Sequence, residues 1–174
     1  LRQFDPNVFA PLQLVRDSAE LLRTAKGLIV NIGSVSGVTT TPFSGVYCAS
    51  KAALHAISDA LRMELHPFGI QVMTVMPGAI ASDFGNNATA AITMADSSWF
   101  KPWEKAVQAR AKASQNARST SAKDFARELL GYIGNPVRPE NVLIGSGARS
   151  MVRLKRWLPT SILDKRMRQR FKLE

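Results

Sequence analysis

Tyr47 and Lys51 stand four residues apart, a spacing that puts both side chains on one face if the segment is helical. A free phenol has a pKa of about 10 and is a poor proton donor or acceptor at neutral pH. An ammonium beside it stabilises the phenolate and lowers that value, so the pair could exchange a proton with a substrate near neutrality. The spacing alone is common, and a surface Tyr beside a surface Lys is the plain alternative. Ser34 strengthens the case. It lies 13 residues upstream, after an apolar run, where a parallel strand would end and where open α/β sheets bind their ligands. A loop over 35–46 that folds back would set its hydroxyl beside Tyr47, within reach of a substrate carbonyl oxygen. Ser36 reads as an ordinary loop serine. His55 and His66 lack partners at metal-site or triad spacing, so no metal is expected and both read as helix residues.

Helices and strands in strict alternation are needed to hold these groups. Apolar residues at Val8, Leu12, Val15, Ala19 and Leu22 predict a helix from Asn7 to about Ala25, stopped at Gly27. Leu28 to Ile32 is a continuous apolar run, as in a strand buried on both faces. Ser34 to Ser44, rich in Gly, Ser and Thr, reads as loop. A helix runs from Tyr47 to about Leu65 and ends at Pro67 and Gly69. Ile70 to Met76 is a second buried strand, closed by Pro77-Gly78. Residues 83–118 are mixed, with an Ala-rich helical stretch near 103–113. Ser121-x-x-Asp124 resembles a capping box opening a helix to about Ile133. Asn141 to Ile144 is a third strand, and a basic segment follows. The connections are too long for hairpins and suit right-handed crossovers between parallel strands, which gives an α/β fold of three layers.

Composition agrees. The chain has 174 residues, 45% of them apolar, enough for one core and too few for two large domains. No apolar run is long enough to span a bilayer as a helix. Cys48 is the single cysteine, which excludes an internal disulfide and fits a reducing compartment. The net charge of +10 is uneven: residues 1–148 carry 14 basic and 11 acidic side chains, and residues 149–174 carry 9 and 2. The basic character therefore belongs to the last segment. The chain opens at Leu1 without a charged stretch leading an apolar one, so no signal peptide is expected and an upstream region is.

Four motifs in register carry a family resemblance. They are Asn7-Val8; Val30-Asn31-Ile32-Gly33-Ser34-Val35-Ser36-Gly37; Tyr47-Cys48-Ala49-Ser50-Lys51-Ala52-Ala53-Leu54; and Val75-Met76-Pro77-Gly78. Together they resemble the short-chain dehydrogenase/reductase family over nearly the whole chain, but only the second half of its fold. The resemblance implies a Rossmann-like parallel sheet whose N-terminal half, with the Gly-rich cofactor turn, is missing. Residues 1–148 would be the C-terminal catalytic part of one domain, with a substrate lid at about 83–118, and 149–174 a basic amphipathic tail. Tyr47 would donate the proton in carbonyl reduction or accept it in alcohol oxidation. Lys51 would lower its pKa and hold the nicotinamide ribose, and Ser34 would polarise the substrate oxygen. Asn7 would order a water linking Lys51 to solvent, with a helix N-cap as its competing role. Pro77, Gly78, Ile80 and Ser82 would line the nicotinamide, together with Tyr47 and Lys51.

The stretches Ser44 to Ala56 and Leu65 to Ile70 look closest to the branch holding acyl-dihydroxyacetone-phosphate reductases and retinol or 17β-hydroxysteroid dehydrogenases. That branch implies NADP, with NAD open, and a hydrophobic lipid or steroid-like ketone or alcohol. Homodimerisation and a cytoplasmic location, extending to the surface of the endoplasmic reticulum or lipid droplets, are further expectations. Phe84, Ile92, Met94, Trp99, Phe100 and Trp103 read either as local packing or as a mobile lid. In the tail, Met151, Leu154, Trp157, Ile162, Leu163, Met167 and Phe171 interleave with cations. They suit either a solvated helix packed by its apolar side or an interfacial segment on anionic lipid. No nucleic-acid module accompanies the charge. Gly145-Ser146-Gly147 lacks the third glycine of a dinucleotide turn, since position 150 is Ser. The alternative function is a truncated, non-catalytic relative acting as a dimerising or membrane-surface module.

Overall fold

Leu28–Ile32 (β1) and Gln71–Pro77 (β2) pair in parallel, and β2 pairs in parallel with a later strand over Asn141–Ile144. The structure, a computed structural model, describes residues 3–115 and 118–174. Leu1, Arg2, Asn116 and Ala117 lie outside the described residues, the last two within the expected lid. Between β2 and the third long strand come two short ones, Ile80–Ala81 (β3) and Thr120–Ser121 (β4), which pair with each other in parallel. Asn141–Ile144 is therefore β5, and the main sheet has the order β1-β2-β5.

Helices cover both faces. On one side lie α1 (Ala10–Asp17), α2 (Ala19–Ala25) and α3 (Gly45–Leu65). Val15, Leu22, Leu61 and Leu65 there pack on Ile29, Ile70 and Val72. On the other side, beyond α4 (Phe84–Ala90) and α5 (Glu104–Ala111), lies α6 (Ala122–Ile133). Its Phe125, Leu129, Tyr132 and Ile133 pack on Met73, Val75, Val142 and Ile144. Alternate residues of β2 thus face opposite layers, which is why the strand is apolar throughout. The fold is the three-layer α/β arrangement the alternation implied. Among the described residues no helix is long and apolar enough to cross a membrane.

Several local readings shift. The predicted stop at Gly27 falls one residue earlier: Lys26 takes the left-handed conformation at φ 47°, and the Gly27 N–H closes the helix on the Leu22 carbonyl at 2.9 Å. The helix predicted from Asn7 begins as a π-turn over Asp5–Phe9 and breaks at Ser18. β1 is an edge strand with both faces covered: Ile29 packs with the α1–α3 layer and Leu28 and Val30 with the α6 layer, while Ile32 at the strand end is exposed. Ser121 caps α6, accepting from the Asp124 N–H at 3.0 Å. The rest of the capping box differs, because the Asp124 carboxylate turns to the Ser121 hydroxyl instead.

The basic segment folds as α7 (Ala148–Trp157) and α8 (Thr160–Arg170). Leu163, Met167 and Phe171 are buried against Phe43, Met151 and Leu173. Thr39, fully buried, donates to the Met151 carbonyl at 3.0 Å. Most of the apolar residues that might have entered a lipid surface are therefore used up in packing, leaving Trp157 and Ile162 exposed.

Candidate active site

Ser34 sits just past the carboxyl end of β1 because Gly33 lets the chain turn against α3. A Cβ on Gly33 would come within 2.2 Å of His55 Nε2, so a larger residue would have to displace the imidazole. His55 fills that space and accepts the Ser34 N–H at 3.3 Å. The Ser34 hydroxyl in turn accepts the Ser36 N–H at 3.1 Å, capping a 3-10 turn over Val35–Gly37. This is how a buried loop serine acquires a fixed direction.

Tyr47 and Lys51 occupy the first turns of α3, one turn apart, as expected from the spacing. Tyr47 is half-buried, and its phenol interacts with the Ser34 hydroxyl. Burial pushes its pKa above the ordinary phenol value, while the bond to Ser34 and the charge of Arg110 pull the other way without prevailing. Lys51 donates its Nζ to the Ile32 carbonyl at 2.8 Å, and burial pulls its pKa down. Ser34, Arg110 and burial, rather than Lys51, set the acidity of Tyr47 in this structure. The Tyr47 ring packs at 5.5 Å, tilted, on Phe84 of α4.

Asn7 is not an N-cap. It lies inside the π-turn and donates from Nδ2 to Ser50 Oγ at 3.0 Å. Ser50, fully buried, donates back to the Tyr47 carbonyl at 2.8 Å. Asn7 is thereby joined to the turn that carries Tyr47, while the Lys51 Nζ bonds the Ile32 carbonyl.

Pro77 ends β2, and Gly78 is held by the Gly145-Ser146-Gly147 turn. The Gly78 N–H donates to Ile144 at 2.9 Å, and a Cβ there would meet the Ser146 carbonyl at 2.2 Å. The Gly-rich turn after β5 is thus a packing surface for the chain after β2. Ile80 pairs with Thr120 and lays its side chain over Gly145. Ser82 is exposed and lines a cleft of about 520 Å³ with Ala81, Asp83, Asn86 and Gln115. A second cleft, about 480 Å³, lies along Thr120, Leu143 and 145–150. Asn7, Ser34, Tyr47 and Lys51 line neither.

His55 and Arg110 are the residues that the motifs did not reveal. His55 was read as an ordinary helix residue; the periodicity of α3 places it correctly but carries no sign of its bond to Ser34.

The model of the short chain dehydrogenase family matches residues 2–93. The chain belongs to the short-chain dehydrogenase family. It is 40% identical over 133 residues to a short-chain dehydrogenase of Penicillium crustosum, covering 76% of this chain and 48% of that protein. It is 30% identical over 171 residues to the NADPH-dependent 1-acyldihydroxyacetone phosphate reductase of Saccharomyces cerevisiae, covering 98% and 57%. A crystal structure of a short-chain dehydrogenase from Streptomyces avermitilis superposes with a TM-score of 0.68 at 22% identity, covering 95% of this chain and 57% of that one; this likeness concerns the fold. The chain spans about half the length of the curated short-chain dehydrogenases it matches. Its motif-bearing segment, from Asn7 to Pro77-Gly78, falls wholly within the family match.

Proposed function

We propose that this chain is the catalytic part of an NADP(H)-dependent oxidoreductase acting on a hydrophobic, lipid- or steroid-like ketone or alcohol. The observation that carries the reading is the meeting of the Tyr47 phenol and the Ser34 hydroxyl at the carboxyl end of β1, beside a Lys51 anchored on Ile32. The printed activity of the yeast relative, an NADPH-dependent reductase of an acylated ketone phosphate, supports the cofactor and the substrate class.

The donors present fit the nicotinamide end of a dinucleotide. Lys51 has one proton on Ile32 and two others for a ribose, and an ammonium offers three in all. Ser82 opens onto a cleft beside the segment that carries Phe84. Residues for the pyrophosphate end are not among the motifs of this chain, since its Gly-x-Gly turn is packed on Gly78. Bound nicotinamide would supply or take up the hydride. Ser34 orients the substrate oxygen, and Tyr47 gives its proton to that oxygen during reduction or accepts it during oxidation. Asn7 acts through Ser50 as a positioning residue for Tyr47. Phe84, on the Tyr47 ring, offers the apolar wall that a hydrophobic substrate needs. The non-catalytic reading is disfavoured because buried contacts hold these side chains together rather than leaving them dispersed.

Pairing with a second copy through α3 belongs to the same proposal, supported by its exposed Val46 and Met63. So does a cytoplasmic location reaching a lipid surface through exposed Trp157 and its neighbouring cations. In the full-length protein, Tyr47→Phe is expected to lower kcat for NADPH-dependent ketone reduction by about 100-fold or more, with NADPH affinity kept. Unchanged kcat in a variant that still binds NADPH would overturn the reading.

A further inference from the structure

Arg110 reaches from α5 to the start of α3. Its Nε donates to the Thr41 hydroxyl at 2.6 Å, and Thr41 shares a 2.8 Å hydrogen bond with Ser44, the residue before α3. The guanidinium also lies near the sulfur of Cys48, next to Tyr47. It is half-buried, and the neighbouring cation acting on it is Arg170, at the end of α8. Among the described residues no carboxylate pairs with Arg110 or Arg170. A guanidinium is rarely taken out of water without an anion, because neutral partners only partly return the hydration it loses. The exposed Arg170 repels Arg110 and adds to that cost.

The loop that presents Thr41 and Ser44 is held rigidly. Phe43 has φ 64°, a region that bulky residues rarely enter and that persists only where the surroundings enforce it. Edge-on contacts enforce it here, with Phe100 at 6.0 Å and Phe171 at 6.2 Å. Phe100 belongs to the expected lid and Phe171 follows Arg170. The same clamp therefore fixes the loop, the lid and the end of α8 around Arg110. Arg170 lies 5.9 Å over the Phe171 ring, which steadies it beside the site.

We propose that Arg110, seconded by Arg170, receives the phosphate of a phosphorylated ketone whose carbonyl lies at Tyr47. The proposal rests on the catalytic reading of Tyr47 and adds to it the residue that selects the substrate. A phosphate monoester carries a charge of roughly −1.5 to −2 at neutral pH, which matches two guanidinium groups. A carboxylate would leave one of them uncompensated. Arginine binds phosphate oxygens through paired N–H donors, and the Thr41 and Ser44 hydroxyls lie within the same cluster to add to them.

The test uses the full-length protein saturated with NADPH, so that the cofactor's own phosphate sites are filled. Inorganic phosphate is titrated and followed by phosphorus NMR. Wild type is expected to bind it at millimolar concentration and more tightly than acetate. Arg110→Gln is expected to weaken it about tenfold or more, and Tyr47→Phe to leave it unchanged. Thr41→Val, which releases the guanidinium while conserving volume, is the second variant and is expected to weaken phosphate severalfold even if Arg110→Gln does not fold. Equal phosphate binding by wild type and the folded variants, no binding by wild type, or tighter binding of acetate would each overturn the proposal. Kinetics separate the two claims. The kcat/KM preference for dihydroxyacetone phosphate over dihydroxyacetone is expected to fall about tenfold in Arg110→Gln, whereas the catalytic reading stands or falls with Tyr47→Phe.

Discussion

Tyr47 is under opposing influences: burial holds its proton on, and Ser34 with Arg110 draws it off. The spacing to Lys51 had suggested an ammonium as the source of its acidity, but the Lys51 Nζ is engaged by the Ile32 carbonyl. Sequence could name Tyr47, Ser34 and Lys51 because their spacing is a local property. It could not show where the Lys51 proton would go, since that depends on how far β1 extends past the start of α3. His55 shows the same limit. Its bond to Ser34 joins residues 21 positions apart, and its pKa is lowered, first by burial and then by Lys51. Protonating it would break the bond from the Ser34 N–H. With the folded value below the ordinary imidazole value of 6.5, the unfolded chain takes up the proton first as pH falls. The stability His55 contributes is therefore complete above about pH 6.5 and is lost as pH falls through the folded value. Thermal melts between pH 7.5 and 5 should show a falling Tm in wild type and a flatter profile in His55→Gln. Equal slopes would show that His55 does not titrate against the fold.

At the scale of elements, the strands 28–32 and 141–144 agree between sequence and structure, and α3 differs by two residues at its start. Such elements are long enough for periodicity to register. β3 and β4 have two residues each and offer no period at all; they exist because Gly78 packs on Ser146 and steers the chain past Thr120. Gly78→Ala would drive a methyl group into the Ser146 carbonyl, a backbone atom that cannot swing away, and should cost about 1–3 kcal/mol. Chemical denaturation reads this directly, and a loss under 0.5 kcal/mol, roughly the scatter of a neutral surface change, would mean the turn gives way. Ser121→Ala, which removes the cap of α6, should cost about 1 kcal/mol by the same measurement. An unchanged midpoint would show that packing of Phe125 and Leu129 alone holds that helix.

Among the described residues the main sheet has three strands, with β1 at an unpaired edge. Phe9, Leu14 and Leu21 are exposed on the helices beside it. An unpaired strand edge next to apolar helix faces invites association. The 174-residue chain by itself should run as a self-associating species in size-exclusion chromatography and bind hydrophobic dyes; a dye-free monomer with a sharp melt would contradict this. The three-layer order was legible from the alternation of helices and strands, and the last segment was not, because its interleaved cations and apolar residues fit a lipid surface as well as a protein core. Leu163, Met167 and Phe171 pack against Phe43, while Trp157 and Ile162 stay exposed. The central claim, that Tyr47 carries the proton, has a directional signature in the full-length protein. A phenol whose pKa is held above about 10 is protonated throughout the neutral range. Ketone reduction should then have a kcat/KM flat from pH 6 to about 9, while alcohol oxidation, which needs the phenolate, should climb about tenfold per pH unit over the same range. A level oxidation profile across that range would contradict the assignment of Tyr47 as the proton carrier.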